Sequence, residues 1–201
     1  MSVAQHKSST PVGGQGSTPA ATTDASANHV NSTTARVLAV LRISMGFTFL
    51  WAFFDKLLAL GFHTGYGQDG TLDRFGDAAW INGGSPTEGF LKFGADGPFK
   101  GFYNSIGGTV LADWGFMLGL LAIGTALTLG AGMRLAAIAG ATMYVLMWTV
   151  ALPPETNPII DDHIIGALTV VALALLGAGN TWGLGRWWSS TSLAQRFPVL
   201  R

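Results

Sequence analysis

The sequence contains no cysteine and few charged residues. Without cysteine the chain can form no disulfide, and it has no thiolate for iron–sulfur ligation, sulfur transfer or a thiol relay. This excludes the quinone-coupled four-helix proteins that make disulfides. Charged side chains make up 11% of the 201 residues, whereas a soluble domain has roughly a quarter. The apolar residues are concentrated in blocks, which indicates a membrane protein.

Four apolar blocks cover residues 37–54, 114–129, 135–152 and 164–179. Each is a little shorter than the roughly 20 residues that cross a bilayer core, but flanking aromatic and small residues extend it. We therefore predict an all-α integral membrane protein with a four-helix transmembrane bundle, and a soluble all-helical core is the alternative. Tryptophans mark the ends of the blocks, as expected at the headgroup level: Trp114 and Trp148 near one surface, and Trp182, Trp187 and Trp188 near the other.

The distribution of basic residues predicts the orientation. If the N-terminus is cytoplasmic, that side holds seven basic residues and one acid, and the other side holds four basic residues and ten acids. The positive-inside rule favours this arrangement, so we expect a multi-pass protein of the cell membrane with both termini cytoplasmic. The seven basic residues are Lys7, Arg36, Arg42, Arg134, Arg186, Arg196 and Arg201. Arg42 lies within the first block and is expected to extend its side chain to the cytoplasmic surface.

The composition divides the chain into three regions. Residues 1–35 are rich in Ser, Thr, Ala, Gly and Asn without apolar periodicity, which predicts a disordered cytoplasmic tail. Residues 36–190 form the four-helix membrane domain, and residues 191–201 form a cytoplasmic C-terminal tail. The connection 61–113, on the outer side, is long and glycine-rich. Because a structureless loop of this length is unusual, we expect a partly folded cap.

One element of this cap can be predicted from its sequence. Ser85-Pro86-Thr87-Glu88 has a hydroxyl N-cap, proline at the first helical position and glutamate at the third, which is a capping box. We therefore expect a short helix through Phe93.

The fourth apolar block is preceded by two carboxylates and an imidazole, Asp161, Asp162 and His163, after a turn at Asn157. A charge in the bilayer costs about 2.5 to 3.5 kcal/mol at a helix centre, so a cluster at its edge indicates function or a buried network. The alternative is helix capping alone, because negative charge is favoured at a helix N-terminus.

The first block ends in a second ionisable group, Asp55 and Lys56, at about the depth expected for His163. On a helix, Trp51 and Asp55 share one face, which gives an aromatic stripe that ends in a carboxylate. A carboxylate near an imidazole at the edge of an apolar pocket can accept a proton from a quinol. The alternative is a structural salt bridge from Lys56 to Asp161 or Asp162. His63 and His163 could ligate one haem, but their spacing is weak support and haem is not expected.

Several motifs together resemble the DoxX/DoxD-like membrane protein family over residues 36–190. These are Arg42-Ile43-Ser44-Met45-Gly46 leading to Trp51 and Asp55-Lys56, Gly119-Leu120 to Leu129-Gly130 with Arg134-Leu135, Asn157-Pro158 with Asp161-Asp162-His163, and Gly183-Leu184-Gly185-Arg186-Trp187-Trp188. The resemblance implies a small four-helix membrane protein. The family includes the membrane subunit of thiosulfate:quinone oxidoreductase, which passes electrons from thiosulfate to the quinone pool.

Two functional hypotheses follow. The first is a membrane subunit of a quinone-linked oxidoreductase, with thiosulfate as one candidate donor and quinone as the cofactor. Its candidate catalytic residues are Asp55, Asp162 and His163, its candidate substrate-binding residues are Lys56, Trp51, Asn157 and Asp161, and Arg74, Lys92 and Lys100 could attract an anion. The second is a non-catalytic membrane anchor or assembly subunit of a larger respiratory or redox complex. Expected partners are the lipid bilayer and a redox protein or a second copy of this chain; no metal site and no nucleic-acid partner is expected.

Overall fold

The computed structural model describes residues 31–67, 69–155 and 157–200, and within them helices are the regular secondary structure. The predicted disordered tail lies outside the described residues except for its last five positions. The α-helices are α1 (Ser32–Leu58), α2 (Lys100–Ile106), α3 (Val110–Leu129), α4 (Met133–Val150), α5 (Asp162–Leu175), α6 (Gly185–Ser190) and α7 (Ser192–Arg196).

Three helices, α1, α3 and α4, are long and apolar enough to cross a membrane. Helix α1 starts at Ser32, before the predicted block, because the Asn31 side chain accepts a hydrogen bond (2.8 Å) from the Thr34 N–H and caps it. Residues 32–35, predicted as tail, are therefore helical. Helix α5 has 14 residues and ends at Leu175, short of the predicted limit. Gly177, at a φ of 65°, terminates it.

The long helices pack as antiparallel neighbours, α1 against α3, α3 against α4 and α4 against α5. Their shared core is built from large apolar side chains such as Phe49, Met117, Ile123 and Leu173. Gly124 of α3 faces α1. A Cβ at Gly124 would lie 2.8 Å from the Leu50 Cγ, so glycine is needed for this close approach.

The opposite faces of these helices expose large apolar side chains. Val37 on α1, Leu118 on α3, Ile138 on α4 and Leu168 on α5 are each more than half exposed. Exposed apolar surface on this scale is costly in water and is typical of a surface that meets lipid or another protein. Helices α1, α3, α4 and α5 therefore each have one face packed in the core and an opposite face that is apolar and exposed.

The two ends of the helices differ in charge. We call the end where α1 begins, α3 ends and α4 begins the arginine end, since Arg36, Arg42 and Arg134 lie towards it. We call the opposite end, where α3 and α5 begin, the acidic end. The ten acidic residues from Asp55 onward all lie towards the acidic end, at helix ends there or in the connections that join them.

The connection from α1 to α3 covers the acidic end with short helices. They are 3₁₀ turns at Trp80–Asn82 and Gly97–Phe99, a π-helical turn at Gly89–Phe93, and α2. The helical turn lies where the Ser85 capping box predicts it, and the Ser85 Oγ accepts the Glu88 N–H at 3.0 Å. The Glu88 carboxylate does not complete the box; it pairs with Lys92 at 2.8 Å instead.

The chain after α5 is folded at the arginine end. A 3₁₀ turn at Ala178–Asn180 leads into α6, α7 and a last 3₁₀ turn at Pro198–Leu200. The Trp188 indole N–H donates to the Leu200 carbonyl and closes this segment on itself. Residues 191–200, predicted only as a tail, are thus helical and attached to the rest of the protein.

Candidate functional site

Helix α5 starts with a paired carboxylate and imidazole. Asp161 is the N-cap, and its Oδ1 accepts the backbone N–H groups of His163 (3.0 Å) and Ile164 (3.2 Å). Its Oδ2 lies 2.7 Å from the His163 Nδ1. The capping of the alternative interpretation is therefore present, and the same carboxylate also orients the imidazole ring.

The turn before α5 presents this pair. The Asn157 Oδ1 accepts the N–H groups of Ile159 (3.0 Å) and Ile160 (3.1 Å), as expected for an asparagine turn. The Trp148 indole N–H donates to the Ile159 carbonyl at 2.9 Å and ties the turn to the end of α4. The side-chain oxygen of Asn157, a predicted substrate ligand, is thus used to shape the backbone.

The electrostatics of the pair favour an ionised Asp161. Burial raises the pKa of its carboxyl, but hydrogen bonds from His163 and from the Ile164 N–H outweigh burial and hold the pKa below its usual range. With Nδ1 facing this carboxylate, a neutral His163 keeps its proton on Nδ1 and presents Nε2 as an acceptor. None of the described hydrogen bonds reaches Nε2.

His163 adjoins an aromatic ring, and Asp161 adjoins an open cleft. The Tyr144 ring of α4 lies edge-on to the His163 ring, with 6.3 Å between their centroids. Asp161 and Asp162 line a cleft of about 550 Å³ between the α4–α5 connection and the cap. Two further acids, Asp96 and Glu155, line it, and Lys100 is its one basic lining residue in the described part of the chain.

Asp55 is bonded to a different part of the chain. It is buried, and its two oxygens accept the backbone N–H groups of Phe62 (Oδ1, 3.0 Å) and His63 (Oδ2, 3.0 Å). These bonds hold the turn that follows α1. In the part of the chain that the structure describes, no hydrogen bond or ion pair joins Asp55 to Asp161 or His163. The sequence placed the carboxylate and the imidazole at one depth, but the structure gives them different partners.

Lys56 and Trp51 each contact an aromatic ring. The Lys56 ammonium lies 5.9 Å from the centroid of the Phe116 ring, a cation–π contact. The alternative of a salt bridge from Lys56 to Asp161 or Asp162 is wrong for the described residues, in which Asp161 pairs with His163. The Trp51 ring stacks on Phe47 at 5.8 Å, so the predicted aromatic stripe of α1 is present.

Asp113 is a buried acid that the sequence analysis did not single out. It lies in the first turn of α3, and its Oδ1 accepts the hydroxyl groups of Ser85 (2.8 Å) and Thr87 (2.6 Å). It therefore attaches the cap to α3. The available signal was its position four residues after Thr109, the N-cap of α3, where an acid is favoured.

Arg42 is fully buried, so the expectation that it extends to the surface is wrong. Its guanidinium donates to the Leu127 carbonyl, to the Thr128 carbonyl (2.8 Å) and to the Trp182 carbonyl (2.9 Å), with a longer contact to Thr181 (3.4 Å). These carbonyls belong to the last turn of α3 and to the chain after α5. A helix end leaves carbonyls unpaired, and a buried cation satisfies them.

No family model matches the chain, and no curated protein or solved structure matches it significantly.

The α5 cluster is the one group in the described chain whose spacing could hold a metal ion. One ligand atom from each of Asp161, Asp162 and His163 lies within 4.8 Å of the others. Both oxygens of Asp161 are already hydrogen-bonded, however, and a pair made of a carboxylate and an imidazole with a free Nε2 is suited to proton exchange. The arrangement can therefore take up or release a proton at the edge of an apolar helix.

Proposed function

We propose that this chain is a membrane subunit of a quinone-linked oxidoreductase in which His163 exchanges a proton with the quinone. A quinone takes up two electrons and two protons to become a quinol, so its site needs a group that can carry a proton near neutral pH. The observation that carries the proposal is the 2.7 Å contact between the Asp161 Oδ2 and the His163 Nδ1 at the start of α5. Histidine is the side chain best suited to this task.

The surroundings of the pair favour a neutral substrate. Four acids line the cleft, and Lys100 lies 3.7 Å from one of them, Asp96. The other predicted anion attractors are also engaged, since Lys92 pairs with Glu88 and Arg74 donates to the Leu60 carbonyl at 3.0 Å. An anion such as thiosulfate would be repelled from this cleft. We therefore assign donor oxidation to a partner protein and quinone protonation to this chain; if thiosulfate is the donor, two molecules join as tetrathionate and release two electrons.

Under this proposal α5 is a fourth membrane crossing, shorter than the other three. Its apolar outer face supports the assignment, because Leu168 and Leu175 are strongly exposed. The positive-inside rule places the arginine end in the cytoplasm and the α5 pair on the outer side. The DoxX/DoxD-like resemblance agrees with such a topology and remains part of the proposal.

A non-catalytic anchor or assembly subunit is the second candidate, and the exposed aromatic side chains of the cap favour it. Phe62, Phe75, Phe93 and Phe102 are each largely exposed. In addition, the buried charges of Arg42 and Asp55 are engaged in backbone hydrogen bonds, as expected for structural groups. An apolar surface of this kind suits a partner protein.

The two candidates are separated by His163→Gln in the full chain within its native membrane. Loss of a general acid–base group lowers a rate by about 100-fold to 10,000-fold, so quinone reduction should fall by at least ~100-fold while the folded protein persists. Asp161→Asn should lower the rate less and shift its pH dependence, because the ring loses its orienting charge. The matched control is Asp77→Asn, which removes an exposed carboxylate at the same end.

Two other results would favour the non-catalytic anchor or assembly subunit. Unchanged quinone reduction in His163→Gln would remove the proposed catalytic role. If a Phe93→Ser/Phe102→Ser variant also loses a protein that co-purifies with the wild type, the cap is a docking surface and the chain is an accessory subunit.

A further inference from the structure

The C-terminal segment, residues 176–200, is held against the α3–α4 turn at the arginine end. The Leu184 N–H donates to the Leu129 carbonyl at the end of α3 (2.8 Å), and the Arg134 guanidinium donates to the Pro198 carbonyl (3.0 Å). Arg134 lies in the first turn of α4. The segment is therefore fixed at the level of the α3–α4 turn, where a helix pair that enters a bilayer would leave it.

The surface of this segment combines exposed apolar side chains with arginines. Trp187 (62%), Leu193 (50%) and Phe197 (48%) are exposed. The Arg186 side chain is exposed, and in the described chain it has no hydrogen bond or ion pair. The Arg196 guanidinium, also exposed, lies 5.6 Å from the Phe197 ring centroid. Short helices with this mixture are typical of segments that lie in the interface of a bilayer.

Within residues 31–200, the positive charge at this end has no acidic counterpart. Residues 31–54, 114–154 and 163–200 contain no Asp or Glu, so Arg36, Arg134, Arg186 and Arg196 face no carboxylate from any helix of the arginine end. An acidic protein or an anionic lipid could supply the missing charge. The exposed tryptophan and phenylalanine beside the arginines favour the lipid, because such rings prefer the headgroup level.

We propose that the C-terminal segment binds the phosphate groups of anionic phospholipids in the leaflet that the arginine end faces. Arg186 and Arg196 contact the phosphates, and the exposed apolar side chains of the segment enter the boundary between headgroups and acyl chains. At the same end, Leu129 of α3 and Leu135 of α4 are also exposed, and lipid would cover them as well. The inference does not depend on the proposed redox function.

The experiment is native mass spectrometry of the full chain, released from nanodiscs with equal amounts of phosphatidylglycerol and phosphatidylcholine. The wild type should retain phosphatidylglycerol preferentially. Each basic residue near an anionic surface contributes about fivefold to binding, so Arg186→Gln/Arg196→Gln should lower the preference by roughly 25-fold. The matched control is Lys92→Gln/Lys100→Gln, which removes two positive charges at the acidic end and should leave the preference unchanged.

A second variant separates charge from folding. Arg186→Lys/Arg196→Lys keeps the two charges and should keep most of the preference for phosphatidylglycerol. Equal retention of the two lipids by the wild type would overturn the proposal. An equal loss of this lipid preference in Lys92→Gln/Lys100→Gln would overturn it as well, since the preference would then depend on the total charge and not on the position of the arginines. If the chain released directly from its native membrane instead retains an acidic protein and no anionic lipid, the surface belongs to that partner, which would also overturn the proposal.

Discussion

Replacing Arg42 with methionine should destabilise the protein by about 3 kcal/mol. The buried guanidinium donates to the carbonyls of Leu127, Thr128 and Trp182; the first of these bonds is buried and the other two are partly buried. Leaving a buried carbonyl unpaired costs about 1 to 3 kcal/mol, and methionine avoids the desolvation cost of the charge, so three carbonyls give a net loss of about 3 kcal/mol. The methionine stem keeps most of the apolar packing of the arginine.

The assay is equilibrium unfolding of the full chain in detergent micelles, followed by circular dichroism. The matched control is Arg36→Met, which removes an exposed arginine six positions earlier on α1 and should change the free energy of unfolding by less than about 0.5 kcal/mol. Arg42→Lys should fall between the two, because one ammonium keeps the charge but cannot reach both chain segments as the planar guanidinium does.

Equal unfolding free energies for Arg42→Met and Arg36→Met would refute the reasoning. The carbonyls of the α3 end would then be satisfied without Arg42, and the junction between α3 and the C-terminal segment would depend on packing alone. Close packing at Gly183 would then explain how this junction is held together, because a Cβ at Gly183 would lie 3.0 Å from the Leu129 carbonyl oxygen.

Three further predictions test the acids. Asp55→Asn should cost about 1 to 3 kcal/mol of unfolding free energy, because an amide offers one acceptor oxygen to two backbone N–H groups; an unchanged denaturation curve would argue against this role. Asp113→Ala should release the cap from α3, so limited proteolysis should cut residues 85–99 faster than in the wild type; an unchanged cleavage rate would contradict the assignment. Because the pKa of Asp161 is lowered in the folded state, its stabilising effect is complete above the ordinary carboxyl pKa of about 3.9 and is lost as the pH falls below that value. The protection factor of the His163 amide, which is the ratio of its intrinsic to its observed hydrogen-exchange rate at the same pH, should therefore fall only in acid, and Asp161→Asn should remove this pH dependence.

The positions of the long helices could be predicted from the sequence, because apolar blocks of this length are typical of membrane-spanning or buried helices. Their ends could not be predicted as well, since they depend on single residues. The Asn31 cap extends α1 towards the N-terminus, and Gly177 in the left-handed conformation stops α5 early. The fold of residues 191–200 was missed because no periodic pattern marks helices of five or six residues.

Part of the candidate site could likewise be predicted from the sequence, and part could not. The contact between Asp161 and His163 follows from two residues close in sequence at a helix start, so local reasoning found the cluster. The partners of Arg42 lie 85 to 140 residues away along the chain, and no local pattern contains them. Snorkelling was the reasonable expectation for an arginine near a helix end, but it assumed that no unpaired carbonyls lay within reach of the side chain.

A common rule accounts for the buried ionisable groups of this protein. Each charged group lies at a helix end: the Arg42 guanidinium at the end of α3, Asp55 at the turn after α1, and Asp113 at the start of α3. Their polar atoms pair mainly with the backbone groups and hydroxyls that these helix ends leave without a partner. A charged residue near the membrane is therefore by itself poor support for a catalytic role in this protein. His163 differs, because its carboxylate partner fixes one ring nitrogen and leaves the other to exchange a proton. An experiment on function should therefore begin with His163, since substitution of the other three groups would confound a loss of activity with a loss of the fold.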